Sequence, residues 1–333
     1  MRLINIRLKT LNLERNNIYV KLKQEFLLNF LKEVSKEEKP YRNRKFCEFL
    51  GVGFNGKIKA SPTMIAWIKF NRAIPLSKLA RITTEKNWLD VENNVIHLQQ
   101  SMGGEKVFIN FPLKLDERVG SIIGHILGDG SIDKKYQQVF YSNSNPDLLK
   151  EFRNNMKRIF GIEPRIWMQR TANFYGKTRW EKRLDTINEL ETGKNCGLFY
   201  PTISGRILNS IFGNFAIGKE KNITNNIKNG SQSFKIGLIR AFYDDEGTVG
   251  EKNLRLFQDR KEVLENFRKF LIELGIYPGE VKTYVKHDKD RYYFDIHRKS
   301  NLIKFRDKVG FTSSKKMEKL KCISLIKNLK NSK

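Results

Sequence analysis

Two acidic residues, Asp129 and Glu246, end two apolar runs built to one pattern. The first run reads Gly120-Ser121-Ile122-Ile123-Gly124-His125-Ile126-Leu127-Gly128-Asp129-Gly130-Ser131-Ile132. The second reads Gly237-Leu238-Ile239-Arg240-Ala241-Phe242-Tyr243-Asp244-Asp245-Glu246-Gly247-Thr248-Val249. Glycine or alanine, an acid, glycine, Ser or Thr, and Ile or Val recur in step, each matched pair 117 positions apart. A carboxylate ending an apolar helix, present twice in one chain, implies two acids brought together across a pseudo-two-fold axis. Like charges that close repel and cannot comfortably both ionise. A divalent cation relieves this, and carboxylate oxygens suit Mg²⁺, with Mn²⁺ as a substitute. Gly128 and Asp245 join the two acids in the candidate metal set. A metal at such an axis suits the cutting of a two-fold substrate, of which duplex DNA is the leading case.

The helices that would carry these acids have a marked face. Gly120, Gly124 and Gly128 are four apart and fall on one stripe, as do Gly237 and Ala241 in the second copy. Glycine inside a helix costs roughly 1 kcal/mol against alanine, so the stripe asks for a reason. Small residues at this spacing let two helix backbones approach closely. Beyond each acid the pattern continues with strands over 136–141 and 253–258. Helices begin at Asp147 and Glu262 and end at Gly161-Ile162-Glu163-Pro164 and Gly275-Ile276-Tyr277-Pro278. More strand follows (165–169; 280–285), then a last helix (204–212; 301–309). The expected fold is therefore α+β, with two pseudo-symmetric αββαββα repeats over 113–232 and 233–333.

Residues 1–112 differ in texture, and a mainly helical domain is expected there. Helical spacing over 21–34, a short helix over 46–52 closed by glycine, and Ser61-Pro62 opening a helix to Phe70 precede a further helix over 76–82. Short helices with glycine or proline between them resemble repressor-like helix-turn-helix domains, in which residues 61–70 would read a DNA groove.

Composition narrows the partner. Lys and Arg number 63 against 36 Asp and Glu, a net charge of +27. That excess, interleaved with aromatics, is the footprint of a nucleic-acid partner. The three cysteines and four histidines are scattered, with neither a disulfide framework nor a zinc spacing. The start shows no signal-peptide pattern and no apolar run is long enough to span a bilayer, so a cytoplasmic or organellar setting is expected.

The two motifs resemble those of the LAGLIDADG homing endonucleases. The nine-letter motif maps onto residues 122–130 and 239–247, and the resemblance runs from about Leu115 to Leu329 as a single-chain, two-repeat member. It implies saddle-shaped halves whose sheets lie in the DNA major groove. It also implies a divalent metal on Asp129 and Glu246, hydrolysis of both strands across the minor groove to leave 3′ overhangs, and a monomer with internal symmetry. A lysine near each acid is implied as well; aligned on Phe212-Gly213 and Val309-Gly310, these are Lys219 and Lys316, with Lys221 and Lys315 competing. There are departures. The sixth motif position is Leu127 in one copy and Asp244 in the other, and Asp245 occupies a seventh position that is normally small.

On this reading DNA is met by strand side chains, Arg165, Trp167, Gln169 and Arg170 in one half and Lys282, Tyr284 and Lys286 in the other. A basic, aromatic stretch within 171–195 would add Lys177, Arg179, Lys182 and Arg183 from a hairpin. Two other roles suit the same fold, an RNA maturase acting on intron RNA and a DNA-binding transcriptional regulator. The regulator is disfavoured because both motif acids are kept. An intein is disfavoured by the opening Met1 and the lack of a closing His-Asn pair, and a membrane-surface role by aromatics that follow strands rather than one amphipathic helix.

Overall fold

The computed structural model describes residues 5–11, 18–101, 103–169, 180–218, 220–286 and 289–325. In chain order the N-terminal part holds β1 (Asn5–Ile6), β2 (Tyr19–Leu22), α1 (Gln24–Ser35), α2 (Arg44–Phe49), α3 (Pro62–Ile68), β3 (Ile74–Pro75), α4 (Leu76–Ile82), α5 (Trp88–Asn93), β4 (Val95–Gln99), β5 (Lys106–Val107) and β6 (Leu113–Lys114). The first repeat holds α6 (Glu117–Leu127), β7 (Gly130–Ile132), β8 (Val139–Asn143), α7 (Pro146–Phe160), β9 (Arg165–Gln169), β10 (Trp180–Leu184), β11 (Cys196–Phe199), α8 (Thr202–Phe212) and α9 (Asn225–Lys228). The second holds α10 (Gln232–Glu246), β12 (Gly247–Val249), β13 (Leu254–Gln258), α11 (Lys261–Glu273), β14 (Lys282–Lys286), β15 (Lys289–Ile296), α12 (Lys299–Lys308) and α13 (Ser314–Leu325).

Each repeat is an antiparallel sheet backed by helices. The second runs β12-β13-β15-β14, and the first runs β7-β8-β11-β9-β10. Setting the two orders side by side makes β11 the counterpart of β15 and β9 that of β14, so β10 is an added edge strand. The αββαββα order therefore holds in the second repeat, before α13, while the first carries five strands. The added strand comes from the 171–195 stretch: its arm Trp180–Leu184 pairs with β9, and the turn itself lies outside the described residues.

Local chemistry sets the helix limits. Asp116 caps α6 by accepting from the N–H groups of Arg118 and Val119, and Ser231 caps α10 by accepting from that of Phe234. Gly161 and Gly275 follow α7 and α11 with φ of 63° and 74°, the left-handed turn that the two G-I-x-P signals require.

The N-terminal part departs from the expectation in two ways. Besides its helices it contains a four-stranded sheet, β3-β2-β4-β5, whose strands of two to five residues are too short for alternation to show in sequence. The Ser61 cap and the helix it opens are present as α3. However, α2 and α3 are separated by residues 50–61, which include a bridge between Asn55 and Ala60. A helix-turn-helix joins its helices by three or four residues, so this pair does not form that motif. β1 pairs with β6 within this part, and the Phe108 N–H donates to the Phe160 carbonyl of α7, which ties it directly to the first repeat. One apolar core runs without a break from Ile6 to Leu320. No described helix is long and apolar enough to cross a membrane.

Candidate functional site: the carboxylate pair at the end of the helix seam

The seam between α6 and α10 is symmetric residue by residue. A Cβ added to Gly120 would fall 1.9 Å from the carbonyl oxygen of Phe234, and one added to Gly237 would fall 1.9 Å from that of Glu117. Phe234 is the counterpart of Glu117 at the repeat offset, so each helix offers its partner the same close approach. That reciprocity is the mark of a two-fold contact. Gly124 continues it, where an added Cβ would fall 2.8 Å from Cβ of Ala241. At the far end Gly128 meets Asp245, its own counterpart, with an added Cβ 2.6 Å from Asp245 Cβ. The bulky seventh residue of the second motif thus fits because the first motif has glycine opposite it.

Asp245, named above in the candidate metal set, points into the protein. One carboxylate oxygen accepts from Tyr141 Oη at 2.9 Å and Asn143 Nδ2 at 3.3 Å; the other lies 3.0 Å from His125 Nδ1. Its side chain is fully covered, as is that of His125. The ring also lies 3.5 Å, through Nε2, from Glu151. Burial alone would depress the His125 pKa, but the charges of Asp245 and Glu151 override it and hold the ring as imidazolium, with a pKa of about 10. Burial likewise pushes Glu151 up, and the His125 hydrogen bond and charge bring it down to about 2. A buried cation between two anions is therefore built beneath the motif ends. Removing one member of such a group leaves an uncompensated buried charge, costing about 3–5 kcal/mol. His125→Ala is accordingly expected to lower the thermal midpoint, and an unchanged midpoint would show that the triad is not held as charges.

Asp129 and Glu246 lie at the outer side of this buried group. Asp129 reaches the surface and Glu246 is half-buried. Asn143 Nδ2 donates to Asp129 at 2.9 Å. Loss of water and the neighbouring Asp245 carboxylate raise Asp129 to about 7. Loss of water, then the charges of Asp129 and Asp245, raise Glu246 to about 7. The two acids therefore feel each other.

Two lysines brace the helix ends. Lys316 Nζ donates to the carbonyls of Tyr243 at 3.1 Å and Gly247 at 2.7 Å, and also to that of Asp244. Lys221 Nζ donates to the carbonyl of Ile126 at 2.6 Å and to that of Gly130. Ile126 and Gly130 are the repeat counterparts of Tyr243 and Gly247, so Lys221 and Lys316 are equivalent. A cation at a helix C-terminus is stabilised by the carbonyls that end it. Burial lowers Lys221 to about 8 and lowers Lys316 as well, against the pull of the nearby carboxylates. The position assigned from spacing, Lys219, lies outside the described residues; the competitor two positions on occupies the matching place.

Among the described residues no group of three or more His, Cys, Asp or Glu forms a metal cage. Asp129 and Glu246 remain as a two-carboxylate donor set of hard oxygens. Such a set fits Mg²⁺, which keeps several waters and takes one or two carboxylates together with substrate phosphate.

Residues 116–195 and 233–310 each match the LAGLIDADG-like domain. These two repeats belong to the LAGLIDADG family. The chain is 24% identical to the replication factor C small subunit of Methanocaldococcus jannaschii over 209 residues, 62% of this chain and 10% of that one. It is 24% identical to the protein of the same name from Thermococcus kodakarensis over 202 residues, 59% of this chain and 20% of that one. The matches thus span only a tenth and a fifth of those relatives. Among solved structures, it is similar to the homing endonuclease I-DmoI in complex with DNA and Mn (16% identity, 59% of this chain, 97% of that one, TM-score 0.38). It is also similar to the N-terminal LAGLIDADG domain of DUF199/WhiA (13% identity, 66% of this chain, 88% of that one, TM-score 0.34).

In the second of these LAGLIDADG repeats the sixth-position acid is structural. Asp244 is buried and accepts from the N–H groups of Thr312 at 2.8 Å and Ser313 at 3.1 Å, fixing the entry to α13.

The outer sheet faces hold most of the described strand residues singled out above. In β9, Ile166 and Met168 are buried, and Arg165, Trp167 and Gln169 alternate to the other face. Arg183 is opposite Trp167 and joins them. Lys182 is opposite Met168 and so lies on the other face of this edge strand. Arg170, Lys177 and Arg179 lie outside the described residues. Lys282 and Tyr284 stand opposite Tyr293 and Arg291 in the second sheet, and Lys286 pairs with Lys289 in the backbone register. Two aromatics went unrecognised, Phe140 and Phe199: Trp180 of the basic, aromatic stretch lies edge-on to them at 5.5 and 5.4 Å. Gly197 makes room for it, since a Cβ there would come within 2.7 Å of the indole.

The raised acids carry a testable consequence. A folded-state pKa raised above its unfolded value gives stability that is present below about pH 4 and lost as pH rises through about 7. Without metal, Asp129→Asn with Glu246→Gln should therefore melt a few degrees above wild type at pH 8 and alongside it at pH 4. A thermal scan at the two pH values checks this, and equal midpoints at pH 8 would refute it.

Proposed function

We propose that the protein is a site-specific double-strand DNA endonuclease. The observation that carries this reading is the pair of acids at the closed end of a two-fold helix seam, each backed by a lysine at the same helix-end carbonyls. Asp129 and Glu246 would hold Mg²⁺ or Mn²⁺, which when bound activates a water and polarises the scissile phosphate. Lys221 and Lys316 hold the carbonyls that end α6 and α10, and so fix where the acids emerge. Their positive charge also favours a phosphate entering beside two carboxylates. His125 partly offsets the charge of Asp245, which adds to the repulsion at the pair. The sheet faces, with Arg165, Trp167 and Arg183 on one side and Lys282 and Tyr284 on the other, would hold duplex DNA on either side of the axis. Phosphate contacts there give affinity, and contacts to base edges give sequence preference. The net charge of +27 supports such a partner.

The test is to incubate the purified protein and Mg²⁺ with a randomised duplex library and sequence the cut ends. Double-strand ends at one recurring sequence, with 3′ overhangs, are expected. Binding with intact strands would instead favour a DNA-binding regulator on the same fold, and binding restricted to intron RNA a maturase.

A further inference from the structure

The N-terminal sheet has one face in the core and a second face of different character. Val20, Leu98 and Val107 are fully buried beneath it. On the other face Lys21 stands opposite His97, and Lys106 stands opposite Gln99. Directly opposed residues share a face, as do residues two apart on one strand, so these four side chains form one group. A solvent-side face would leave them all exposed, yet His97 and Gln99 are only 6% and 5% exposed. The segment before β3 covers them, and between it and the sheet lies a cleft of about 390 Å³ lined by Lys21, Asn71, Arg72, Ala73, His97, Gln99 and Lys106.

The lining holds three cations and no carboxylate. Among the described residues, none of the three is ion-paired to an acid. Its polar groups are also incompletely used. Gln99 Nε2 donates to the Ser101 carbonyl at 2.8 Å, so its Oε1 is the atom that accepts from His97 Nε2 at 2.9 Å. That contact fixes the proton on Nε2 and leaves Nδ1 bare. His97 Nδ1 and Asn71 Oδ1 are both buried without a hydrogen-bond partner. Buried polar atoms are normally satisfied, and an orphan asks for a missing partner. A protonated His97 would offer Nδ1–H, and the Asn71 amide, turned over, would offer its N–H.

We propose that this cleft binds a phosphate group, that of a nucleotide or of a polynucleotide backbone, held by Lys21, Arg72 and Lys106 with His97 Nδ1–H as a further donor. The cleft is larger than one tetrahedral anion needs, which leaves room for an attached sugar. The groups facing His97 are Lys21 from β2, Lys106 from β5, Gln99 on its own strand, Asn71 and Arg72 from the covering segment, and the Phe108 ring, whose centroid is 5.7 Å away. Burial first, and then Lys106 and Lys21, keep the empty imidazole neutral below its ordinary range. A bound dianion reverses the sign of that field, so ligand and ring proton should bind together. The site lies apart from the motif acids and does not depend on the nuclease reading.

The experiment follows the histidine ring signals of the full-length protein by NMR against pH, without divalent metal, with His97→Asn identifying the His97 signal. The probes are inorganic phosphate, a 5′-mononucleotide and a short duplex. Saturation is expected to raise the His97 pKa by about one unit or more. Arg72→Gln with Lys106→Gln, both at exposed positions, should weaken binding of the active probe about tenfold or more. A response to the duplex alone assigns a polynucleotide backbone, and a response to phosphate or mononucleotide assigns a small ligand; either supports the site. If His97 is indifferent to all three probes, or responds equally in the double variant, the proposal is overturned.

Discussion

Asp129→Asn, and separately Glu246→Gln, are expected to reduce double-strand cleavage at least about a thousandfold while leaving DNA affinity within a few-fold of wild type. Each substitution keeps the shape of the side chain and removes only its ability to ionise. Neither acid anchors the fold: Asp129 has one side-chain hydrogen bond of note, from Asn143, and both carry a burden of unfavourable charge rather than a stabilising partner. The folded structure should therefore survive. DNA binding should not weaken, because a negative charge facing phosphate has been deleted. The salt dependence of binding, set by the number of phosphates that basic residues neutralise, should stay the same. Competition binding over a salt series, beside a single-turnover cleavage assay, separates these effects. A variant that cuts like wild type would remove its residue from the site, and one that neither cuts nor binds would show a fold defect.

The second large effect concerns the seam. Gly120→Val or Gly237→Val is expected to destabilise the protein by more than about 4 kcal/mol, a range reached by few single substitutions. In both cases the first added atom would sit 1.9 Å from a backbone carbonyl oxygen of the facing helix. No rotamer change relieves a clash between Cβ and backbone, so the two helices must part. Parting them uncovers residues such as Ile122, Leu238 and Ile239, all fully buried, and pulls the two acids away from one another. Reciprocity makes the prediction specific. The two variants should cost similar amounts, whereas valine at Gly53, where an added Cβ meets nothing within 4 Å, should have little effect. Denaturant unfolding of the three variants measures this, and a benign Gly120→Val would mean that the helices are not in contact along that stripe.

Much of this arrangement is legible in the sequence because duplication amplifies it. One glycine stripe is a weak signal, but the same stripe at a constant offset marks a symmetric contact. G-I-x-P closes α7 and α11 through a left-handed glycine in both copies, which is why those helix ends could be placed. What escaped was whatever the second copy lacks. His125 has Phe242 as its counterpart, so the buried triad with Asp245 and Glu151 has no echo in the repeat. It shows only as a histidine inside an otherwise apolar helix. Asp245 reads as a third metal ligand until its inward partners, Tyr141 and Asn143, are placed, and neither is near it in sequence. Strand β11 is four residues long and contains Gly197, so it offered little alternation to read. Lys219 and Lys221 are two apart in a lysine-rich stretch, and alignment on one glycine could not choose between them. Among the described residues, Lys221 carries at the repeat counterparts the bonds that Lys316 makes.

The most direct measurement of the central claim is anomalous diffraction from Mn²⁺ in crystals of the protein bound to a cleavable duplex. The expected result is manganese seated between the carboxylates of Asp129 and Glu246, touching the scissile phosphates, with Asp245 still turned toward His125. Manganese bound elsewhere, or the two carboxylates directed away from a common ion, would contradict the account.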